Sequence, residues 1–151
     1  MTEDQLVKGM EIAAQRGAQY NIEVLDEEII PTLMILTEND RIELAHILVE
    51  KEDMADTLKE LLLEKQAKAY ALILEAWQTS FVEKALEYEG RVREMPLDDR
   101  FECTTLILVR KNKGIVKYLS AKIDTDANGR RKLRDWETGN VQETRICITE
   151  W

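Results

Sequence analysis

The sequence contains few of the residues on which common catalytic and ligand-binding motifs depend. Its 151 residues include six glycines, two cysteines and one histidine. The glycines form neither a G-x-G-x-x-G nor a Walker-type loop, so no standard phosphate-binding motif is present. A single histidine cannot build a site with two histidine ligands. The cysteines, Cys103 and Cys147, lack the spacing of metal ligands, and we expect reduced thiols, no metal and no cofactor.

Long apolar runs are also absent. No stretch reaches the roughly 18 consecutive apolar residues of a membrane-spanning helix. The first residues, MTEDQLVKGM, are acidic and amphipathic, unlike a signal peptide. We therefore expect a cytoplasmic protein with no membrane contact. The length predicts a single domain over residues 1–151, with a core large enough to fold without a disulfide or a metal.

Charge is unevenly distributed along the chain. The formal net charge is −9, and it divides into −12 for residues 1–100 and +3 for residues 101–151. An overall negative charge disfavours nucleic acid as a partner, because the phosphate backbone dominates that affinity. The basic C-terminal third still allows a local contact with nucleic acid.

Hydrophobic periodicity predicts two main helices and several strands. Thr2 and Gln5 have capping-box spacing, and an apolar stripe follows at helical intervals until Gly17, a residue typical of helix ends. The best helical stripe lies between two apolar, strand-like stretches, an order that favours a crossover with parallel strands. The predicted elements are helices over Glu3–Arg16, Lys51–Ala67 and part of Ser80–Arg93, and strands over Ile29–Thr37, Arg41–Val49, Ala69–Trp77, Phe101–Arg110, Ile115–Ile123, Arg130–Trp136 and Glu143–Trp151.

These elements predict an α+β fold, a two-layer arrangement with both main helices on one face of the sheet. The sheet is expected to be mixed, mainly antiparallel, with about five or six strands. The stretch Ala69–Trp77 is its predicted centre, because it is the most apolar segment of the chain. The strand Ile30–Leu36 is apolar on both faces, which favours a homodimer or higher oligomer.

One candidate site lies at the end of the central strand. Glu75 follows a run of apolar residues, so it is either at the rim of the sheet or buried with a partner such as Arg100 or Arg110. Ligands of open α/β sheets gather at strand ends. Glu75, Trp77 and Arg100 are therefore predicted either to line a pocket or to form a structural ion pair beside a packed indole.

Two polar features favour structural interpretations. His46 lies on the same strand face as Ile42 and Leu44, and we interpret it as a hydrogen-bonded, half-buried histidine rather than a general base. The segment Asp124–Gly129 matches the first half of a calcium loop, D-x-D-x-N-G. Three basic residues follow it, so a polar hairpin turn is the better interpretation.

A basic hairpin gives the remaining candidate site. Arg130, Lys132 and Arg134 fall on one face of the predicted strand, with Trp136 next along it. Cations alternating on a β-ribbon beside an aromatic ring could contact phosphates. A solvated sheet face explains the same pattern, and the acidic helices favour that explanation.

The chain resembles a group of small prokaryotic and phage-associated proteins with no known function. The residues that carry the resemblance are Glu75-Ala-Trp77 at a strand end and Asp99-Arg100-Phe-Glu102 at the next strand start. The resemblance implies that Glu75, Trp77, Arg100 and Glu102 act together.

Two functions are consistent with these observations. The first is a non-catalytic cytoplasmic interaction protein, from a phage, mobile element or host accessory locus, that contacts itself or another protein. The second is a small enzyme or small-molecule binder with a pocket near Glu75, Trp77 and Arg100. The absence of a nucleophile–base pair, metal set or phosphate loop from the sequence favours the first.

Overall fold

The protein has an α+β fold, as its sequence predicts, in which one antiparallel sheet curls into a half-barrel. The computed structural model describes residues 1–89, 91–139 and 148–151. The helices are α1 (Glu3–Glu23), α2 (Met54–Glu64) and α3 (Val82–Glu87), and the strands are β1 (Thr32–Thr37), β2 (Ile42–His46), β3 (Ala67–Gln78), β4 (Phe101–Arg110), β5 (Gly114–Thr125), β6 (Arg131–Leu133) and β7 (Glu137–Thr138). Most of the predicted strand Glu143–Trp151 lies outside the described residues.

The strand order is β2-β1-β3-β4-β5-β6, with β7 added to β5. Every pairing among the described strands is antiparallel, so the expected mixed sheet is not found. β2 and β3 do run parallel, as the crossover argument predicts, but β1 lies between them. β3 pairs with β1 over Thr32–Thr37 and with β4 over all ten residues of Phe101–Arg110, which confirms it as a central strand.

The two main helices pack on opposite faces of the sheet, so the prediction of one shared face was wrong. One cluster of buried apolar residues joins α1 to every second residue of the strands, such as Met34, Ala71 and Leu106. A second cluster joins α2 to the strand residues between these, including Leu33 and Leu72, which point to the other face. Because β1 and β3 are apolar at consecutive positions, both of their faces need cover. The helices of the same chain supply it, so the apolar faces of β1 no longer indicate a homodimer, which stays a prediction.

Helix α1 begins where the capping box predicts. Thr2 Oγ1 accepts a hydrogen bond from the Gln5 backbone N–H at 3.2 Å, and Gln5 Oε1 accepts one from the Thr2 N–H at 2.9 Å. The helix does not end at Gly17 as expected, but continues to Glu23. Ala18 and Ile22 are buried beyond the glycine, and their burial outweighs the modest cost of a glycine within a helix.

A buried carboxylate holds α1 against β5. Glu11 is 3% exposed, and its carboxylate is bound by Lys8 Nζ at 2.8 Å and by Lys117 Nζ at 2.5 Å. Burial alone raises the pKa of a carboxyl, but here the hydrogen bonds from Lys117 and Lys8 outweigh it and hold the pKa of Glu11 below its ordinary value. The pair of lysines therefore keeps a charged group stable inside the interface between helix and sheet.

Because of the Glu11 carboxylate, the free energy of unfolding should depend on pH in the acidic range. Because the pKa of Glu11 is lower in the folded chain than its ordinary value of 4.5, its contribution is present above about pH 4.5 and is lost as the pH falls through the folded value. Glu11→Gln is expected to flatten this part of the stability profile, measured by urea unfolding at pH 3 to 7. The exposed Glu60 of α2 provides a control, and Glu60→Gln should leave the profile unchanged. If Glu11→Gln showed the same loss of stability at acidic pH as the wild type, Glu11 would not be its cause.

No helix within the described part of the chain is long and apolar enough to cross a membrane.

Candidate functional site

A cleft of about 400 Å³ opens on the α1 face, beyond the C-terminal end of that helix. Its lining residues come from the segment after α1 and from three strands, and they are Glu28, Glu75, Ala76, Trp77, Glu102 and Arg131. Trp77 lies directly opposite Glu102 in the β3–β4 register, and Glu75 lies opposite Thr104. Two of the three lining carboxylates and the indole therefore stand side by side on one sheet face.

Arg131 links the carboxylates. Its Nη2 donates to Glu75 Oε1 at 2.9 Å and to Glu102 Oε2 at 3.4 Å. The same Glu75 oxygen accepts the backbone N–H of Ile29 at 2.9 Å, which fixes the segment between α1 and β1 over the sheet. Glu75 is thus engaged, with a side chain 20% exposed, whereas Glu102 has the longer contact and is 39% exposed.

The curl of the sheet makes this contact possible. Arg131 lies on β6 and Glu75 on β3, so β4 and β5 separate them. In a flat sheet the two strands would lie roughly 14 Å apart, which is too far for so short a hydrogen bond between their side chains. The predicted partners, Arg100 and Arg110, were therefore wrong. No signal in the sequence identifies Arg131, because the pairing depends on curvature rather than on separation along the chain.

Arg100 has a different place in the site. Its guanidinium carbon lies 4.1 Å from the centroid of the Trp77 ring, a cation–π contact, and its Nη1 donates to the carbonyl of Arg93. Arg110 instead binds Glu3 and Asp4 at the beginning of α1. The structure thus brings together the four residues Glu75, Trp77, Arg100 and Glu102 that the sequence singled out, with Arg100 against the indole and not against Glu75.

The chemistry of the cleft is that of charged hydrogen-bonding groups. Arg131 does not release its proton, so the linked carboxylates face a permanent cation rather than a proton donor. The thiol of Cys103, on β4, is buried and points to the opposite face, and burial, with the charges of Glu75 and Glu102, raises its pKa to about 12. It is therefore inert as a nucleophile. Among the described residues, no group of His, Cys, Asp and Glu side chains could hold a metal ion.

A second depression, of about 380 Å³, lies around Phe101 and Lys122. Its cations are engaged, because Lys122 lies 4.4 Å above the Phe101 ring and Arg134 binds Asp124. The Glu75 cleft is the stronger candidate, since three carboxylates and one guanidinium line it.

The other predicted site residues lie elsewhere. His46 is exposed at the end of β2 rather than half-buried, with Nδ1 3.2 Å from Thr32 Oγ1. Lys132 is exposed on β6, Arg130 precedes it in a turn, and Trp136 packs against the α1 core. Nucleic-acid contact through Arg130, Lys132 and Arg134 stays a prediction.

The half calcium motif forms a turn. Asp126 Oδ1 accepts the backbone N–H groups of Asn128 and Arg130, each at 2.9 Å. Gly129 adopts a φ of +80°, which a glycine adopts without strain. This is the polar hairpin turn that the sequence favoured.

Comparisons with protein-family models, with curated proteins and with solved structures find no match for the chain.

Proposed function

We propose that the protein is a non-catalytic interaction protein of the cytoplasm that binds a cationic side chain, an arginine or lysine of a partner protein, in the Glu75 cleft. The observation that carries this proposal is the surplus of carboxylates. Glu28, Glu75 and Glu102 line the cleft with one cation, Arg131, and that cation makes its shorter contact with Glu75.

Glu102 and Glu28 supply carboxylate oxygens that can accept further hydrogen bonds. Glu102 is partly exposed and its contact with Arg131 is 3.4 Å, while Glu28 is exposed and has no hydrogen bond or ion pair among the described residues. A guanidinium or ammonium group entering between them would form charge-assisted hydrogen bonds, which are roughly twice as strong as neutral ones. The Trp77 ring offers apolar contact to the aliphatic part of an arginine or lysine.

Long-range charge supports a basic partner. The net charge of −12 over residues 1–100 includes Glu28, Glu75 and the two acids before Glu28, Asp26 and Glu27. A cleft with this surrounding potential raises the association rate of a cation, and the effect weakens with added salt.

Binding can be tested with a blocked arginine. Acetyl-arginine-methylamide should shift the Trp77 indole N–H signal in a saturable NMR titration, with a dissociation constant on the order of 1 mM for so few contacts. The citrulline analogue, of the same shape without the charge, should bind at least about tenfold more weakly.

Matched variants locate the site. Glu102→Gln and Glu28→Gln should each weaken binding several-fold, whereas Glu60→Gln, on the opposite face, should not. Equal effects of all three variants would mean that only net charge matters. Equal shifts with arginine and citrulline would exclude recognition of a cation. Either result would refute the proposal.

A further inference from the structure

Strand β2 forms an edge of the sheet with outward backbone groups that no described residue pairs. Arg41 O accepts the Thr37 N–H and the Ile47 N–H donates to Pro31 O, each at 2.8 Å. Backbone groups alternate in direction along an antiparallel strand, so the odd-numbered residues of β2 bond β1. The N–H and C=O groups of Ile42, Leu44 and His46 therefore point away from the sheet.

Exposed apolar side chains accompany this edge. Ile42 is 44% exposed, Leu44 67% and Leu48 77%. Ile30, 47% exposed, lies next to this edge, because the Ile47 N–H donates to Pro31 O one residue beyond the Thr32–His46 pair. These four residues, here called the edge patch, are the exposed apolar side chains on and beside β2.

The edge has few of the features by which proteins prevent strand addition: β2 is only five residues long, and its one carboxylate, Glu43 Oε2, lies 3.6 Å from Lys65 Nζ. Lysine, proline and β-bulges commonly protect exposed edges. β2 contains neither lysine nor proline, and its register with β1 shows no shift. A free, regular and partly apolar edge of this kind favours pairing with another strand.

The charges at the two ends of the edge are complementary to each other. Arg41 begins it, is exposed and has no ion pair among the described residues. Glu50 follows its other end, is also exposed and likewise has no described ion pair. Antiparallel pairing of two identical edges brings the beginning of one to the end of the other. The edge is therefore complementary to a second copy of itself.

We propose that a second copy of this chain occupies the edge, with the two β2 strands paired antiparallel about a two-fold axis at Leu44. Leu44 then faces Leu44 of the second copy, and Ile42 faces His46 of the second copy. Each of these three residues exchanges two backbone hydrogen bonds across the axis. Arg41 lies opposite Ile47 of the second copy, and Glu50 of the second copy follows three residues later, so the two opposite charges come to the same end of the interface. This inference is independent of the cleft.

Light scattering of the full chain tests the assembly. We expect the mass of two 17.5 kDa chains at micromolar concentration. Leu44→Lys should raise the dimer dissociation constant about 100-fold, because the symmetry replaces both facing leucines and brings two lysine charges together. Leu86→Lys, at an equally exposed leucine of α3, makes the same change in charge away from the edge and should leave the dimer intact. Circular dichroism checks that both variants are folded.

A charge exchange tests the register. Arg41→Glu and Glu50→Arg should each weaken the dimer, because each places like charges together at both ends of the interface. The double variant should restore it. A wild-type mass of one chain, a dimer unaffected by Leu44→Lys, or a double variant no stronger than the single variants would overturn the proposed pairing.

Discussion

Replacing Leu58 by alanine is expected to lower the free energy of unfolding by about 2–5 kcal/mol. The side chain is fully buried between α2 and the face of the sheet formed by Leu33, Tyr70 and Leu72. Its removal loses hydrophobic burial and leaves a cavity that packed neighbours fill only in part. Urea unfolding followed by circular dichroism measures the change.

A second substitution turns this prediction into a test of the architecture. Ile22→Val, in the cluster beneath α1, should cost about 0.5–1.5 kcal/mol. Because the sheet separates the two sites, the double variant should show the sum of the single effects within about 0.5 kcal/mol. A larger deviation would mean that the two helices share one core, contrary to the opposite-face packing described above.

Replacing Arg131 by methionine is expected to lower the free energy of unfolding by about 2–4 kcal/mol, because Glu75 and Glu102 lose their shared cation. The loss is smaller than for a fully buried pair, since Glu75 is 20% exposed. Thermal and urea unfolding measure the effect. The same variant should bind a blocked arginine more tightly, because Glu75 and Glu102 then have no cation between them.

Two further variants distinguish the contribution of the Arg131–Glu75 ion pair to stability from that of side-chain packing. Arg131→Met combined with Glu75→Gln removes both charges and should recover part of the lost stability, which a double-mutant cycle expresses as a coupling free energy. Arg134→Met removes an arginine whose described ion pair, with Asp124, is exposed, and it should cost much less stability than Arg131→Met. Equal losses in Arg131→Met and Arg134→Met would show that the bridge to Glu75 contributes no more than a surface pair.

The amino-acid pattern alone determined most of the local structure. The capping box at Thr2, the apolar stripe of α2 and the apolar run of β3 each depend on neighbouring residues, so their signals are complete within short segments. The same holds for the hairpin turn closed by Asp126. Glu75 and Trp77 were identifiable because a carboxylate at the end of an apolar strand needs either a partner or solvent.

Only the tertiary structure determined which face of the sheet each helix covers and which residues pair. Periodicity shows that a surface is buried, but not which element covers it, so α1 and α2 could not be assigned to opposite faces in advance. Gly17 carries a helix-ending signal that the burial of Ala18 and Ile22 overrides. Arg131 reaches Glu75 because the sheet curls, and curvature is a property of the assembled strands rather than of any one of them. The edge position of β2 likewise exists only once the strand order is set.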